Sequence, residues 1–371
     1  MTLNGSGLYA GIMSGTSLDG IDTVLLELAD GAFNLPVRLL ATHYQPFPQQ
    51  LKDSLLALHH PASNELHQAQ LISNELSRLY AAATASLLKQ AGITPDQVRA
   101  IGCHGQTIRH RPEHGYTIQL GNAALLAELS GITVVSDFRS RDIAAGGQGA
   151  PLVPAFHDQA LRHPSIHRVI VNIGGISNLT DLPPGRPTTG FDCGPGNLLM
   201  DAWITQHRGE PYDKNGAWAA SGKIIPALLQ TLLTEPFLHA TPPKSSGRDL
   251  FHMTWLSSKL RGDEVPADVQ ATLLALTSHA IADAIHDFCT GAQEIYLCGG
   301  GAHNEALVQH LSASLPDCRI QDTDALGMSA DWLEAMAFAW LAQQTMCAQS
   351  ANLPAVTGAA HPCILGAIYQ A

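Results

Sequence analysis

Gly11-Ile-Met-Ser-Gly-Thr-Ser-Leu-Asp-Gly-Ile-Asp22 gathers glycines, hydroxyl side chains and two carboxylates within a dozen residues. Backbone N–H groups, hydroxyls and the close approach that glycine allows are suited to gripping phosphate oxygens. Asp19 and Asp22 add carboxylates where a hydrated Mg²⁺ would sit against those phosphates. The plainer alternative is a hairpin with a polar tip, and this stretch alone does not separate the two.

Three other strings suggest chemistry and fail on geometry. His110-Arg-Pro-Glu-His114 spells the H-x-x-E-H pattern of a zinc helix, but Pro112 breaks the helix that would bring both rings to one face. Ala217-Trp-Ala-Ala-Ser-Gly-Lys-Ile224 nearly spells a P-loop, with its first glycine out of register at 216 and Ile224 in place of the metal-binding hydroxyl. Cys103 and His104 are adjacent on an extended run, so their side chains point to opposite faces. A packed cysteine beside a loop histidine is the better reading than nucleophile and base.

Apolar periodicity supplies the elements that must hold these groups. Leu8–Ala10 and Thr23–Leu28 are β-prone runs on either side of the first turn. Leu51–His59 and Leu66–Ala91 have helical spacing, the second with Ile72, Leu76, Leu79, Ala83 and Leu87 on one face. Val98–Gly102 is a short buried strand ending in the polar loop Cys103–Thr107, the usual place for ligand contacts in an open α/β sheet. Tyr116–Leu120 and Ile132–Ser136 read as strands, and Gly146-Gly-Gln-Gly-Ala-Pro151 as a glycine loop. Val169–Thr180 then repeats the plan of Leu8–Asp19: apolar strand, small-residue turn, resumed strand. We read a duplicated α/β unit. Helices follow at about 198–206 and 268–289, then the strand Glu294–Cys298 feeding Gly299-Gly-Gly-Ala-His-Asn304, and a last long helix, Ala330–Gln344, capped by Ser329.

The 371 residues fit about two domains, and 45% apolar against 14% charged residues provides ample core. A net charge of −12 argues against a nucleic-acid partner. No run of about 18 apolar residues and no basic-then-hydrophobic N-terminus is present, so no membrane association is expected and the reading is a soluble, cytoplasmic protein. Seven cysteines, an odd and scattered set without a C-x-x-C pair, point to reduced thiols rather than a disulfide framework.

Together, the turns at Ser14–Thr16, Gly174–Ser177 and Gly299–Gly301 resemble the two phosphate turns and the adenosine turn of the actin, sugar kinase and heat-shock chaperone superfamily. Within it, Ser14–Asp22, Cys103-His-Gly-Gln-Thr107, Gly146–Leu152, Phe191-Asp-Cys-Gly-Pro-Gly-Asn197 and Lys244–Asp249 are similar to the anhydro-N-acetylmuramic acid kinases, over Gly11 to about Gly366. Cys193 departs from the threonine usual there.

The resemblance implies two similar α/β domains of the actin-like ATPase (ribonuclease H-like) type flanking a nucleotide cleft. The first comprises residues 1–135 plus about 350–371, the second 136–349. It implies an ATP- and Mg²⁺-using kinase of cell-wall recycling that opens 1,6-anhydro-N-acetylmuramic acid with water and phosphorylates the freed O6. A homodimer is expected on the same ground alone. Rival readings are a kinase acting on an ordinary sugar hydroxyl, or a nucleotide-driven binding protein like the chaperones.

On this reading Asp192, in a glycine-bounded turn, is the candidate base for the attacking water; its alternative role is to order the turn or cap the helix near Asn197. Glu334, bordering the apolar stripe of the last helix, is the second catalytic candidate, against an ordinary solvated position. Gly15, Thr16, Ser17, Leu18, Asp19, Gly20, Ile21 and Asp22, with Gly174, Gly175, Ser177 and Asn178, are expected to bracket the phosphates, with Asp19 and Asp22 reaching Mg²⁺ through water. Gly299, Gly300, Gly301 and Asn304 would approach the adenosine. His104, Gln106, Asn122 and Gln148 offer polar groups for the sugar, and Arg139 and Arg141 for its carboxylate.

Overall fold

The apolar runs beside the first polar turn form β1 (Ser6–Met13) and β2 (Gly20–Ala29), antiparallel from Ser6↔Ala29 to Met13↔Asp22. The structure is a computed structural model that describes residues 6–15, 18–29, 37–246 and 250–371. Thr16 and Ser17 lie outside the described residues.

The chain divides into two units, Met1–Ala160 with Trp332–Ala371, and Leu161–Asp331. In the first, β3 (Arg38–Pro46) extends the β1–β2 meander, and β4 (Val98–Cys103) joins the other edge of β1 in parallel. A separate hairpin, β5 (Gln106–Arg111) and β6 (Tyr116–Leu120), follows before β7 (Val134–Ser136) pairs parallel to β4. The strand Ala367–Tyr369 closes that edge antiparallel to β7. In the second unit β8 (Arg168–Ile173), β9 (Ile176–Leu182) and β10 (Thr189–Pro195) form the meander, and β11 (Glu294–Cys298) and β12 (Arg319–Asp322) add in parallel beside β8.

Setting β8, β9, β10, β11 and β12 against β1, β2, β3, β4 and β7 gives the same order and the same directions throughout. The duplication read from two short strings extends to five strands of each sheet, and the strand Ala367–Tyr369 is an addition to the first. Each unit buries its own apolar cluster, Leu25, Leu76 and Ile101 among the first, Val171, Leu276 and Leu297 among the second.

These boundaries differ from 135/136 and about 349/350. The helix Leu333–Met346 packs on β1, β2, β4 and β7, and the segment after β7 is hydrogen-bonded to residues 352–360, so both belong to the first unit. The helix also starts later than expected. Residues Ala330 and Asp331 form a turn in which the Ala330 carbonyl accepts the Gly299 N–H at 2.9 Å, and Ser329 is not the cap.

Close approach explains two glycines. Gly11 and Gly102 are register partners on β1 and β4, and a Cβ on either would collide with helix backbone, at the Ala335 and Phe338 carbonyls respectively. Facing alanines 335, 339 and 342 are fully buried there. Gly102→Ala should cost about 1–3 kcal/mol, because packed backbone gives way poorly. The check is the denaturation midpoint; an unchanged midpoint would mean that the helix does not press on β4.

Candidate active site

In the second unit Asp192 lies on β10 at a break in pairing register between Asp192 and Gly194. Its Oδ2 accepts the Ser246 N–H at 2.8 Å and the Ser245 hydroxyl at 3.1 Å, and its own N–H donates to the Lys244 carbonyl at 3.1 Å. Burial pushes the carboxyl up to about 6, against the opposing pull of the Ser246 N–H, the Ser245 hydroxyl and the Lys244 charge. Asp192 therefore does not cap the helix Leu198–Arg208; it is a half-buried acid on β10 whose carboxylate also orders the Ser245–Ser246 stretch. Cys193 is buried as a neutral thiol, raised by burial first and by Asp192 second.

Asn172, Asn178 and Asp192 are cross-strand neighbours on β8, β9 and β10, forming a polar row over the unit's core. Asn178 was expected at the phosphates; Asn172 was not singled out, although it is the one polar residue inside the apolar run Val169–Ile173. Gly174 and Gly175 make the β8–β9 turn, and their carbonyls accept N–H groups of Gly196, Asn197 and Leu198, seating the start of the helix Leu198–Arg208 against it. A Cβ on either glycine would meet no atom closer than 3.6 Å, which leaves this turn open to a ligand. Ser177 is different: it is fully buried and donates its hydroxyl to the Gly194 carbonyl at 3.1 Å.

Gly299 takes φ +76° after β11, where a side chain would run into Asn172. Gly300 follows it, and Gly301 is pressed against Ile173. Asn304 caps the helix Glu305–Ser314, accepting the Leu307 N–H at 3.1 Å, so its side-chain oxygen is already engaged.

In the first unit the turn after β1 is stapled to the loop after β4. Ser14 Oγ bonds Tyr80 Oη at 2.8 Å and donates to the Gly105 carbonyl at 3.2 Å, while Gln106 Nε2 donates to the Gly15 carbonyl at 3.1 Å. Leu18 sits at φ +60° with its side chain buried, Ile21 points into the core, and Gly20 lies tight against Tyr44 and the Gln45 carbonyl. Asp19 is exposed and Asp22 half-buried. The Tyr44 hydroxyl is raised by burial and then by the Asp19 and Asp22 charges, so both carboxylates act on one neighbourhood.

The loop after β7 brings Arg139 to His104. Arg139 Nε and an Nη reach His104 Nε2 at 3.2 and 2.9 Å, and its other Nη donates to the Gly149 carbonyl at 2.7 Å. Burial, then the Arg139 charge, pushes His104 down to about 3, so it is a neutral acceptor. Cys103 beside it rises to about 12 on burial, which removes any nucleophile–base pair. Burial lowers Arg139 to about 10 against Glu334 and Asp142, and burial raises Glu334 against Arg139. Glu334, in the first turn of its helix, is half-buried and close enough to Arg139 for the two charges to act on one another. Arg141 and Gln148 are exposed. Asn122 is spent on structure, capping the helix Ala123–Ser130 through the Leu125 N–H and donating to Asn74 at 2.8 Å. No group of three or more His, Cys, Asp or Glu among the described residues forms a metal cage, and none of their helices is long and apolar enough to cross a membrane.

A sequence model of the anhydro-N-acetylmuramic acid kinases matches residues 7–371. The chain belongs to the anhydro-N-acetylmuramic acid kinase family. It is 58% identical to the anhydro-N-acetylmuramic acid kinase of Thiobacillus denitrificans, over 98% of this chain and 97% of that one. It is 59% identical to the enzyme of that name from Nitrosospira multiformis and 52% to that of Chromobacterium violaceum, each over 98% of this chain and 99% of the relative. For an anhydro-N-acetylmuramic acid kinase family member the buried carboxylate near pH 6 is the informative feature, since a kinase acting on a ready hydroxyl and one that must also activate water ask different things of such a group.

Proposed function

We propose that this chain is a hydrolytic sugar kinase that converts 1,6-anhydro-N-acetylmuramic acid, water and ATP into N-acetylmuramic acid 6-phosphate and ADP, in peptidoglycan recycling in the cytoplasm. The observation that carries the reading is Asp192, a half-buried carboxylate on β10 held through one oxygen by the Ser245 hydroxyl and the Ser246 N–H, with burial raising its proton affinity. In the reaction the C1–O6 bond breaks, the water oxygen bonds C1 with inversion, and Asp192 takes the water proton. O6 receives the γ-phosphoryl group in the place where a glycosidase would use an acid, so one carboxylate suffices.

The turns at Gly15–Asp22 and Gly174–Asn178 are assigned to the phosphates, mainly through backbone N–H groups, and Gly299–Gly301 to the adenosine. Asp19 and Asp22 fit Mg²⁺, which keeps most of its waters and needs only one or two carboxylates beside phosphate oxygens. When bound, that ion neutralises phosphate charge. Arg139, with Glu334 and His104 fixing its direction, is assigned to the sugar's carboxylate or neighbouring hydroxyls, and Gln106, Gln148 and Arg141 to the same loop surface. We place the enzyme as a homodimer.

The test is turnover of the anhydro sugar with Mg-ATP in ¹⁸O-labelled water. Label at C1 of a 6-phosphorylated product, with ADP formed one for one, is the expected result. ADP without label in the sugar would mean a plain kinase or an uncoupled ATPase, and would remove the water-activating role.

A further inference from the structure

Among the described residues, Asp192 is held on one side only. Both donors that reach its carboxylate, the Ser246 N–H and the Ser245 hydroxyl, bind Oδ2, and among the described residues none is bonded to Oδ1. The stretch that supplies them is itself fixed. The Lys244 carbonyl accepts the Asp192 N–H, and Lys244 Nζ donates to the carbonyls of Phe237 and Leu238 at 3.1 and 2.9 Å. The same ammonium lies 5.8, 5.0 and 5.8 Å from the ring centres of Phe191, Phe237 and Phe288. Phe191 precedes Asp192 on β10, and Phe288 ends the helix Pro266–Phe288, so a surface stretch is anchored to a strand and a helix of the unit's core.

We propose that Lys244–Ser246 is a positioning clamp for Asp192, which by engaging Oδ2 leaves Oδ1 as the oxygen that takes the proton, with the Ser245 hydroxyl setting its proton affinity. The proposal rests on Asp192 being the base. Two donors on one oxygen draw negative charge to it and stop the carboxylate from turning. A base free to rotate would present the wrong oxygen for part of the time, and a misdirected base loses rate steeply. Ser245 is exposed, so truncating it opens no hole in the core. The other titratable groups near this carboxylate are Lys244 on the clamp, Cys193 on its own strand, and, facing Lys244 from the helix, Asp287. Ser245→Ala leaves all three in place, so a changed titration reports the hydroxyl.

The experiment is the pH profile of kcat/KM for coupled formation of ADP and 6-phosphorylated sugar by the full chain, in wild type, Ser245→Ala and Ser245→Thr. The hydroxyl bonds the charged form of Asp192, so its loss makes ionisation harder. The acid limb should move up by about 0.5–1 pH unit in Ser245→Ala, and kcat should fall roughly tenfold while KM for ATP stays put. Ser245→Thr, which keeps a hydroxyl, should restore both. A Ser245→Ala limb coincident with wild type, or no rescue by Ser245→Thr, overturns the clamp. Asp192→Asn run alongside separates the two levels. If it is inactive and the Ser245→Ala limb is unmoved, the clamp fails and the base stands; if it turns over like wild type, the reading beneath the clamp fails with it.

Discussion

Asp192→Asn should lower turnover by about 10²–10⁴-fold, the range of a removed general base, with nucleotide binding retained. The carboxamide oxygen can still accept the Ser246 N–H and the Ser245 hydroxyl, so the local fold has the same partners and what disappears is the capacity to take a proton. The wild-type profile should carry the matching signature. Burial raises Asp192 to about 6, so the working carboxylate form dominates above that pH and is lost as pH falls through it. On the acid side kcat/KM should then drop about tenfold per pH unit. Rate profiles for the two proteins, with nucleotide affinity measured separately, decide the point. Asp192→Asn with an unchanged rate would exclude Asp192 as the base, and a wild-type profile flat from pH 7 to 5 would mean that burial does not raise its carboxyl.

Asp142→Ala should be the most damaging substitution for the first unit's stability. Asp142 is fully buried, and its carboxylate accepts three donors: the Gly149 N–H at 2.7 Å, Asn352 Nδ2 at 2.6 Å and the Thr357 hydroxyl at 2.7 Å. These bonds tie the glycine loop to the C-terminal segment, aided by Gln148 N–H to the Thr357 carbonyl and Ala360 N–H to the Ala145 carbonyl. Truncation leaves the Gly149 N–H without an acceptor, and the Thr357 hydroxyl and Asn352 Nδ2 with only their long bonds to the Leu353 and His361 carbonyls, at roughly 1–3 kcal/mol each before relaxation. A loss of about 3 kcal/mol or more is expected, read from denaturant midpoints. Because Gly149 also holds Arg139, sugar affinity should weaken in any folded protein. A loss under about 1 kcal/mol would show that the loop is secured by its backbone bonds alone.

The two effects differ in kind. At Asp192 a conformation survives and a proton-transfer step is lost, whereas at Asp142 the base is kept and the scaffold, with the sugar-facing loop it holds, gives way. Measuring rate and stability on both proteins keeps the two apart.

The sequence by itself determined the strand–turn–strand plan, its repetition, and the short strings that mark the family. These are local signals: an apolar run interrupted by small residues has few conformations open to it, whichever contacts come later. Asp192 and Glu334 were legible as candidates because each is an acid in an apolar or glycine-bounded setting. The partners were not legible. Ser245 and Ser246 lie more than fifty residues from Asp192, and Asn352 and Thr357 lie more than two hundred from Asp142. Nor could the sequence show that Asn122 and Asn304 cap helices and that Ser177 donates to a buried carbonyl. A polar side chain satisfies whichever donor or acceptor the fold brings within reach, and burial then decides whether it titrates at all. Composition and pattern selected the groups that could act; only the packing of β10, the Lys244–Ser246 stretch and the helix Leu333–Met346 decided which are free to act and at what pH.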